Sequence, residues 1–198
     1  MQGSNINTEK YWDDKFRDTS VFRKHPFGNI IRIIKEFKPA PQEVVDLGCA
    51  LGDFQAVLKE NFPAARIIGV DFSSKALQRC REKHPEMEWV KTELSDLAIF
   101  EDSSVDVVTI IETLEHLDSP EKTIAEIYRI LRKGGIGLVS VPKARKKKEP
   151  EHVNEWKTEK EFGSFIEKTK FGKSCLFRKH GRARLFKWLN LAAVLIKK

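Results

Sequence analysis

With 198 residues, of which 40% are hydrophobic and 33% charged, the chain suits one ordinary apolar core and does not read as disordered or fibrous. Its net charge of +7 is uneven: from Lys143 onward there are 17 Lys/Arg against 6 Asp/Glu, so the preceding part is mildly acidic. No apolar run approaches the roughly 18 residues of a membrane span, the polar start MQGSNINTEKYWDD does not read as a secretory signal, and Cys49, Cys80 and Cys175 suggest neither a disulfide framework nor a thiolate metal site.

Residues 1–198 read as one domain in a reducing, cytoplasmic setting. Residues 1–40 form a helical cap, with helices expected near 10–16 and 27–37. Ile30, Ile31, Ile33 and Ile34 of the second helix would lie against a sheet. Between 41 and 142, short apolar runs alternate with amphipathic stretches, the pattern of a parallel sheet flanked by helices. Strands are expected at 43–46, 66–71, 87–91, 105–111 and 136–141. The run from Val105 to Ile111 is apolar enough to be buried on both faces. Helices are expected at 54–60, closed by Pro63, and from a cap at Ser73 or Ser74 towards His84. A third starts at Pro120 behind Ser119, carries Ile124, Ile127, Tyr128 and Leu131 on one face, and stops at Arg132-Lys133-Gly134. Residues 143–198 add a basic loop at 143–148, a helix at 158–167 and strands near 172–177 and 190–196. The alternative for 185–196 is an amphipathic helix on a membrane surface, against which the strand character of Ala192 to Ile196 speaks.

In an open α/β sheet, ligands bind beyond the carboxyl ends of the strands. The loop Asp46-Leu47-Gly48-Cys49-Ala50-Leu51-Gly52 lies at such an end, and its glycines let backbone approach a ligand closely. The pyrophosphate-binding spacing G-x-G-x-x-G fails here, because Ala50 and Asp53 stand at its second and third glycines. Asp71 closes the next strand, where an acid can accept two ribose hydroxyls, and Phe72 beside it could stack on a purine. Loop and acid together point to an adenosine ligand without a pyrophosphate.

Asp46-Leu47-Gly48-Cys49-x-x-Gly52 resembles the first motif of class I methyltransferases, and Gly69-Val70-Asp71-Phe72-Ser73 resembles the second. Glu93-Leu94-Ser95-Asp96-Leu97 is similar to the third motif, with Glu93 where the family usually has Asp. Asp106-Val107-Val108 and Leu131-Arg132-Lys133-Gly134-Gly135 resemble the stretches that enter the family's fourth and fifth strands. The resemblance spans roughly residues 11–167. It implies a Rossmann-like α/β fold, a seven-stranded, mostly parallel sheet with helices on both faces, and S-adenosylmethionine as cofactor. By the same resemblance Gly48, Cys49 and Gly52 would face the methionine part of the cofactor and Asp71 the ribose. Phe72 and Leu94 would border the adenine, and Asp46, Ala50, Glu93 and Ile111 complete the cofactor set.

Methyl transfer from a sulfonium is an in-line displacement, so the protein must chiefly align the partners and exclude water. Glu112, Glu115 and His116 follow the fourth strand, and a helical turn there would place all three on one face. With His152 they make a set of two carboxylates and two imidazoles able to hold a divalent cation that orients and acidifies a hydroxyl. Glu-x-x-Glu-His with a later His is similar to the small-RNA 2′-O-methyltransferases of the Hen1 type and to ubiquinone-biosynthesis O-methyltransferases. A metal-free base and plain helix-entry residues are the other readings of this cluster. His25, His84 and His180 read as ordinary packing or surface residues. Tyr11-Trp12 reads either as a lid over the cofactor or as packing on the sheet edge.

The expected activity is transfer of a methyl group to a small-molecule acceptor, at oxygen. One alternative is an RNA 2′-O-methyltransferase whose phosphate contacts come from Lys143, Arg145 to Lys148, Arg178, Lys179, Arg182 and Arg184. The other is a non-catalytic protein that binds the cofactor or a partner. Oligomeric state is not legible in the sequence.

Overall fold

The computed structural model describes residues 5–17, 27–144, 149–172, 175–176 and 191–198. Helices and strands follow in the order α1 (Glu9–Lys15), α2 (Phe27–Phe37), β1 (Glu43–Leu47), α3 (Asp53–Asn61), β2 (Arg66–Asp71), α4 (Ser74–Lys83) and β3 (Glu88–Lys91). They continue with β4 (Val105–Ile111), a 3₁₀ turn (Leu114–His116), α5 (Pro120–Ile130), β5 (Leu131–Val141), α6 (Glu159–Glu167), β6 (Cys175–Leu176) and β7 (Leu191–Ile196). The sheet has the order β3-β2-β1-β4-β5-β7-β6, parallel from β3 to β5 and antiparallel at β7 and β6. It is thus the seven-stranded Rossmann-like arrangement, although β6 contributes only two residues. The order reverses direction between β1 and β4, which opens a crevice at their carboxyl ends.

Strand alternation divides the core into two layers. Val44, Ile67, Val107, Ile136 and Leu138 pack with Ile30, Ile31, Ile33 and Ile34 of α2 and with Phe54 and Leu58 of α3. Val45, Ile68, Val108 and Val139 face the other way, onto Ile124 and Ile127 of α5 and Phe162 and Ile166 of α6. Full burial of each such side chain contributes about 2 kcal/mol, so the sheet is held from both faces. At the amino end of β4, buried Asp106 accepts the N–H of Gln42 (2.8 Å) and Glu43 (3.2 Å) and faces Lys38 and Arg132. That charge is satisfied by structure, far along the sheet from the crevice.

The differences from the sequence reading lie at element edges. Helix α4 is capped by Ser73, whose side chain accepts from Ala76 N–H, and α6 by Thr158. Ser119 precedes α5 without a side-chain cap bond. Strand β5 begins at Leu131 rather than 136: the helix ends at Ile130, and Leu131 turns extended to pair with Val105 ahead of a register shift. The final strand at 191–196 is present, pairing with β5. Residues 185–190, the first half of the alternative surface helix, lie outside the described residues, and its second half is strand β7. Among the described residues no helix is long and apolar enough to cross a membrane. Cys49 and Cys80, distant in sequence, pack together as free thiols with Leu77 and Trp89.

Trp89 of β3 explains two glycines. A Cβ on Gly69 would stand 2.5 Å from its ring, and one on Gly52 would stand 2.7 Å from it. Gly69→Ala is therefore expected to destabilise the fold by about 1–3 kcal/mol, and by clearly less in a Trp89→Leu background. Urea unfolding of the single and double variants checks this, and equal costs in both backgrounds would acquit the ring.

Candidate functional site

The turn after β1 lies at the crevice and is pinned to β2. Gly48 and Cys49 both donate backbone N–H groups to Val70 O, at 2.8 and 3.0 Å, and Ala50 N–H donates to Asp71 Oδ2 at 3.0 Å. To meet these acceptors the chain takes left-handed dihedrals at alternate residues, with φ of 75° at Gly48, 48° at Ala50 and 77° at Gly52. Glycine accepts that conformation freely, whereas at Ala50 it costs on the order of 1 kcal/mol. Gly48 has a second reason to lack a side chain, since a Cβ would lie 2.5 Å from Thr113 Oγ1.

Two carboxylates are buried beside this turn. Asp71 accepts from Ser73 N–H (2.9 Å) as well as from Ala50, and burial pushes its pKa up to about 6 despite those bonds. Asp46 is raised to about 7 by burial, partly offset by Thr109 Oγ (2.5 Å) and Gln55 Nε2 (2.6 Å). Asp46 therefore braces β1 against β4 and α3, while Asp71 faces the turn. Phe72 is half-buried, Leu94 is buried in the core, Glu93 is exposed and Ile111 is half-buried at the end of β4.

The segment after β4 departs from the expected helical turn. Glu112 takes φ of 50°, and the 3₁₀ turn starts only at Leu114. This sends the Glu112 carboxylate to Ser140 Oγ at 3.1 Å, while its own N–H donates to Ser140 O at 3.0 Å. The four-residue ligand set is corrected accordingly. Ligand atoms of Glu115, His116 and His152 lie within 4.8 Å of one another, and Glu112 is not in that group. His116 Nδ1 donates to Glu151 O at 2.9 Å, which leaves the Nε2 lone pair 3.7 Å from Glu115 Oε1. Glu115 is 2% exposed, and its Oε2 has no hydrogen-bond partner among the described residues. Burial, then the charge of Glu112, holds its pKa well above the usual carboxylate range. Burial also pushes His116 down to about 4, so its imidazole is neutral at pH 7.

Helix α1 makes contacts with both of these halves. Asp13 Oδ1 accepts from Ser73 Oγ (2.5 Å) and Lys75 N–H (3.1 Å) on the Asp71 side. On the other side the Trp12 ring meets His116 edge-on at 4.9 Å, and Lys15 pairs with Glu151 at 2.5 Å. Asp13, Lys15 and Glu151 went unnoticed in the sequence, because isolated polar residues in a short helix and a loop carry no periodic signal. Of the basic residues noted above, Arg145 to Lys148, Arg178, Lys179, Arg182 and Arg184 lie outside the described residues, as do His25 and His180.

Residues 45–139 match the family model described as a methyltransferase domain. A trans-aconitate 2-methyltransferase of Azoarcus sp. (strain BH72) is 35% identical over 109 residues, which are 55% of this chain and 42% of that protein. The ubiquinone/menaquinone biosynthesis C-methyltransferase UbiE of Desulfotalea psychrophila is 28% identical over 57% of this chain and 47% of its own length. The chain thus spans less than half the length of these curated relatives. Among solved structures, the YcgJ protein of Bacillus subtilis matches with a TM-score of 0.57 at 21% identity, over 65% of this chain and 61% of that one. The family-model match falls within the β1-to-β5 core, and over residues 45–139 this chain is similar to methyltransferase domains on a Rossmann-like sheet.

Proposed function

We propose that the chain is an S-adenosylmethionine-dependent methyltransferase that acts on an oxygen of a small-molecule acceptor. The observation that carries this reading is the bond from Ala50 N–H to Asp71 Oδ2. It fixes a left-handed, glycine-containing turn and a ribose-type acid side by side at the topological switch point. The cofactor supplies a methyl group on a sulfonium, a good leaving group that departs as a neutral thioether. In this reading Asp71 holds the ribose hydroxyls, Gly48, Cys49, Ala50 and Gly52 border the methionine part, and Phe72 and Leu94 border the adenine. Asp46 supports the turn from beneath, and Glu93 and Ile111 stand at its margins. The acceptor lies against Glu115, His116 and His152, with Trp12 excluding water from above. Its hydroxyl or carboxylate oxygen is placed in line with the methyl group. Small organic acids are the first acceptors to screen, given the trans-aconitate 2-methyltransferases among the relatives. The buried thiols Cys49 and Cys80 suit a cytoplasmic setting that keeps them reduced.

A second element of the reading concerns a divalent cation. Glu115, His116 and His152 would hold it, the unpartnered Glu115 Oε2 and the free Nε2 of His116 being the donors such an ion needs. There it would orient and acidify the acceptor oxygen. Glu112, committed to Ser140, would act only through its charge.

Calorimetric titration tests the cofactor half. Asp71→Ala is expected to weaken S-adenosylmethionine binding by roughly 30- to 100-fold, the worth of charge-assisted bonds to two hydroxyls. The pH dependence follows from the raised pKa of Asp71. Ribose hydroxyls bond the ionised carboxylate, so binding lowers that pKa and releases a proton near pH 6. Affinity is therefore expected to be level above about pH 7 and to fall as pH drops through about 6. Unchanged affinity in Asp71→Ala would refute the site. For the cation, titration of Zn²⁺ or Mg²⁺ into the protein is expected to give saturable binding that His152→Ala abolishes. Equal binding by the variant, or none by the wild type, would leave the three side chains as an ion-free wall.

A further inference from the structure

The Glu115–His116–His152 group is assembled from two segments that lie far apart in sequence. Its rings are fixed by a few bonds that tie the loop at residues 149–156 to the 3₁₀ turn at Leu114–His116. The N–H groups of Val153 and Asn154 both donate to Glu115 O, at 2.9 and 3.0 Å. The Asn154 side chain adds Nδ2 bonds to Leu117 O at 2.5 Å and Leu114 O at 3.4 Å. A short amide with two N–H donors suits carbonyls at the end of a turn too brief to use them internally. The same loop supplies Glu151 O, which holds His116 Nδ1, and carries His152, whose ring lies 5.1 Å from that of His116.

We propose that Asn154 is a positioning residue: its amide fastens the loop to the turn and thereby fixes His116 and His152 in their facing orientation. The inference rests on the reading of these histidines as the acceptor side of the site. The backbone bonds of Val153 and Asn154 to Glu115 O run beside this amide and hold the loop's main chain, and the remaining ties act elsewhere. Lys15–Glu151 is a partly exposed ion pair that links the loop to α1 and not to the turn. The Asn7 amide reaches Glu151 O from the N-terminal segment and does not touch the turn. Asn154 is the side chain in the loop that bonds the turn's own carbonyls. Because His152 lies two residues away and Glu151 three, release of Asn154 loosens both rings at once. Asn154 is only half-buried, so its replacement leaves the hydrophobic core untouched.

The test uses protein labelled with ¹⁵N-histidine and reads imidazole tautomers from long-range ¹H–¹⁵N spectra, with ring-to-ring nuclear Overhauser effects. The wild type is expected to show His116 protonated at Nδ1 and a clear effect between His116 and His152. Asn154→Ala is expected to give a mixture of His116 tautomers and to lose at least half of the ring-to-ring effect. Asn154→Asp, which keeps the shape but loses the donors, is expected to do the same, and Asn154→Gln to restore part of the signal. S-adenosylmethionine affinity, measured by calorimetry, should stay within about two-fold in all variants, since the cofactor turn shares no bond with Asn154. Persistence of the Nδ1–H tautomer and the ring-to-ring effect in Asn154→Ala would overturn the proposal, even if thermal stability fell. So would a Gln variant no better than Ala. Failure of every protein, wild type included, to bind S-adenosylmethionine would refute the proposed activity and leave the tautomer result to decide the role of Asn154.

Discussion

The buried carboxylate of Asp71 is the constraint on which the cofactor half of the molecule turns. A carboxylate withdrawn from water and left without donors costs several kcal/mol. Here two backbone N–H groups, from Ala50 and Ser73, meet it. Each donor comes from a different connection, one leaving β1 and one leaving β2, so one side chain fixes the relative position of both loops. The price is local: three alternate residues of the first loop turn left-handed, and one of them is an alanine. Parallel pairing of β1 with β2 makes the arrangement possible by bringing Asp46 level with Gly69 and Leu47 level with Val70. The loop then emerges beside the end of the neighbouring strand.

Asp46 shows why a second buried acid in the same region does something else. It has side-chain donors on both flanks, Thr109 from β4 and Gln55 from α3, and these close it off beneath the turn. Asp71 is met by backbone donors of the two loops instead. Two chemically identical groups, at the ends of β1 and β2, thus divide into one braced by side chains and one met by backbone. The division comes from where their donors originate, not from their distance to the loop.

Most of the core was legible in the sequence because its signals are local. Strand runs, Ser73 as a cap, Pro120 at the start of α5 and the turn after β1 each depend on residues close in sequence, and each stands where expected within a residue or two. The start of β5 was missed because Leu131 sits where a helix end and a strand start are equally apolar, and only its pairing with Val105 decides between them. The cluster after β4 was misread for a related reason. Spacing of i, i+3, i+4 brings side chains together only on a helix, and the positive φ of Glu112 breaks the helix before it starts. No pattern in the sequence announces that conformation at a glutamate. His152 was identified from residue type alone, and its approach to His116 depends on backbone bonds across some thirty-five residues.

This contrast between local and long-range assembly bears on function. The methyltransferase match runs from 45 to 139 and contains the whole turn, Asp46, Asp71, Glu115 and His116. Trp12, Lys15, Glu151, His152 and Asn154 all fall outside it, yet they gather around the turn that carries His116. The half of the site that would recognise a cofactor is therefore built within the matched core. The half that would recognise an acceptor is completed by flanking segments attached through a handful of polar bonds. Such segments are attached largely by polar and ring-edge contacts outside the strands, which leaves them room to change. On the proposed reading, the matched core would specify the methyl donor far more tightly than its recipient. The recipient would then depend on which rings and carboxylates the flanking segments bring against Glu115 and His116.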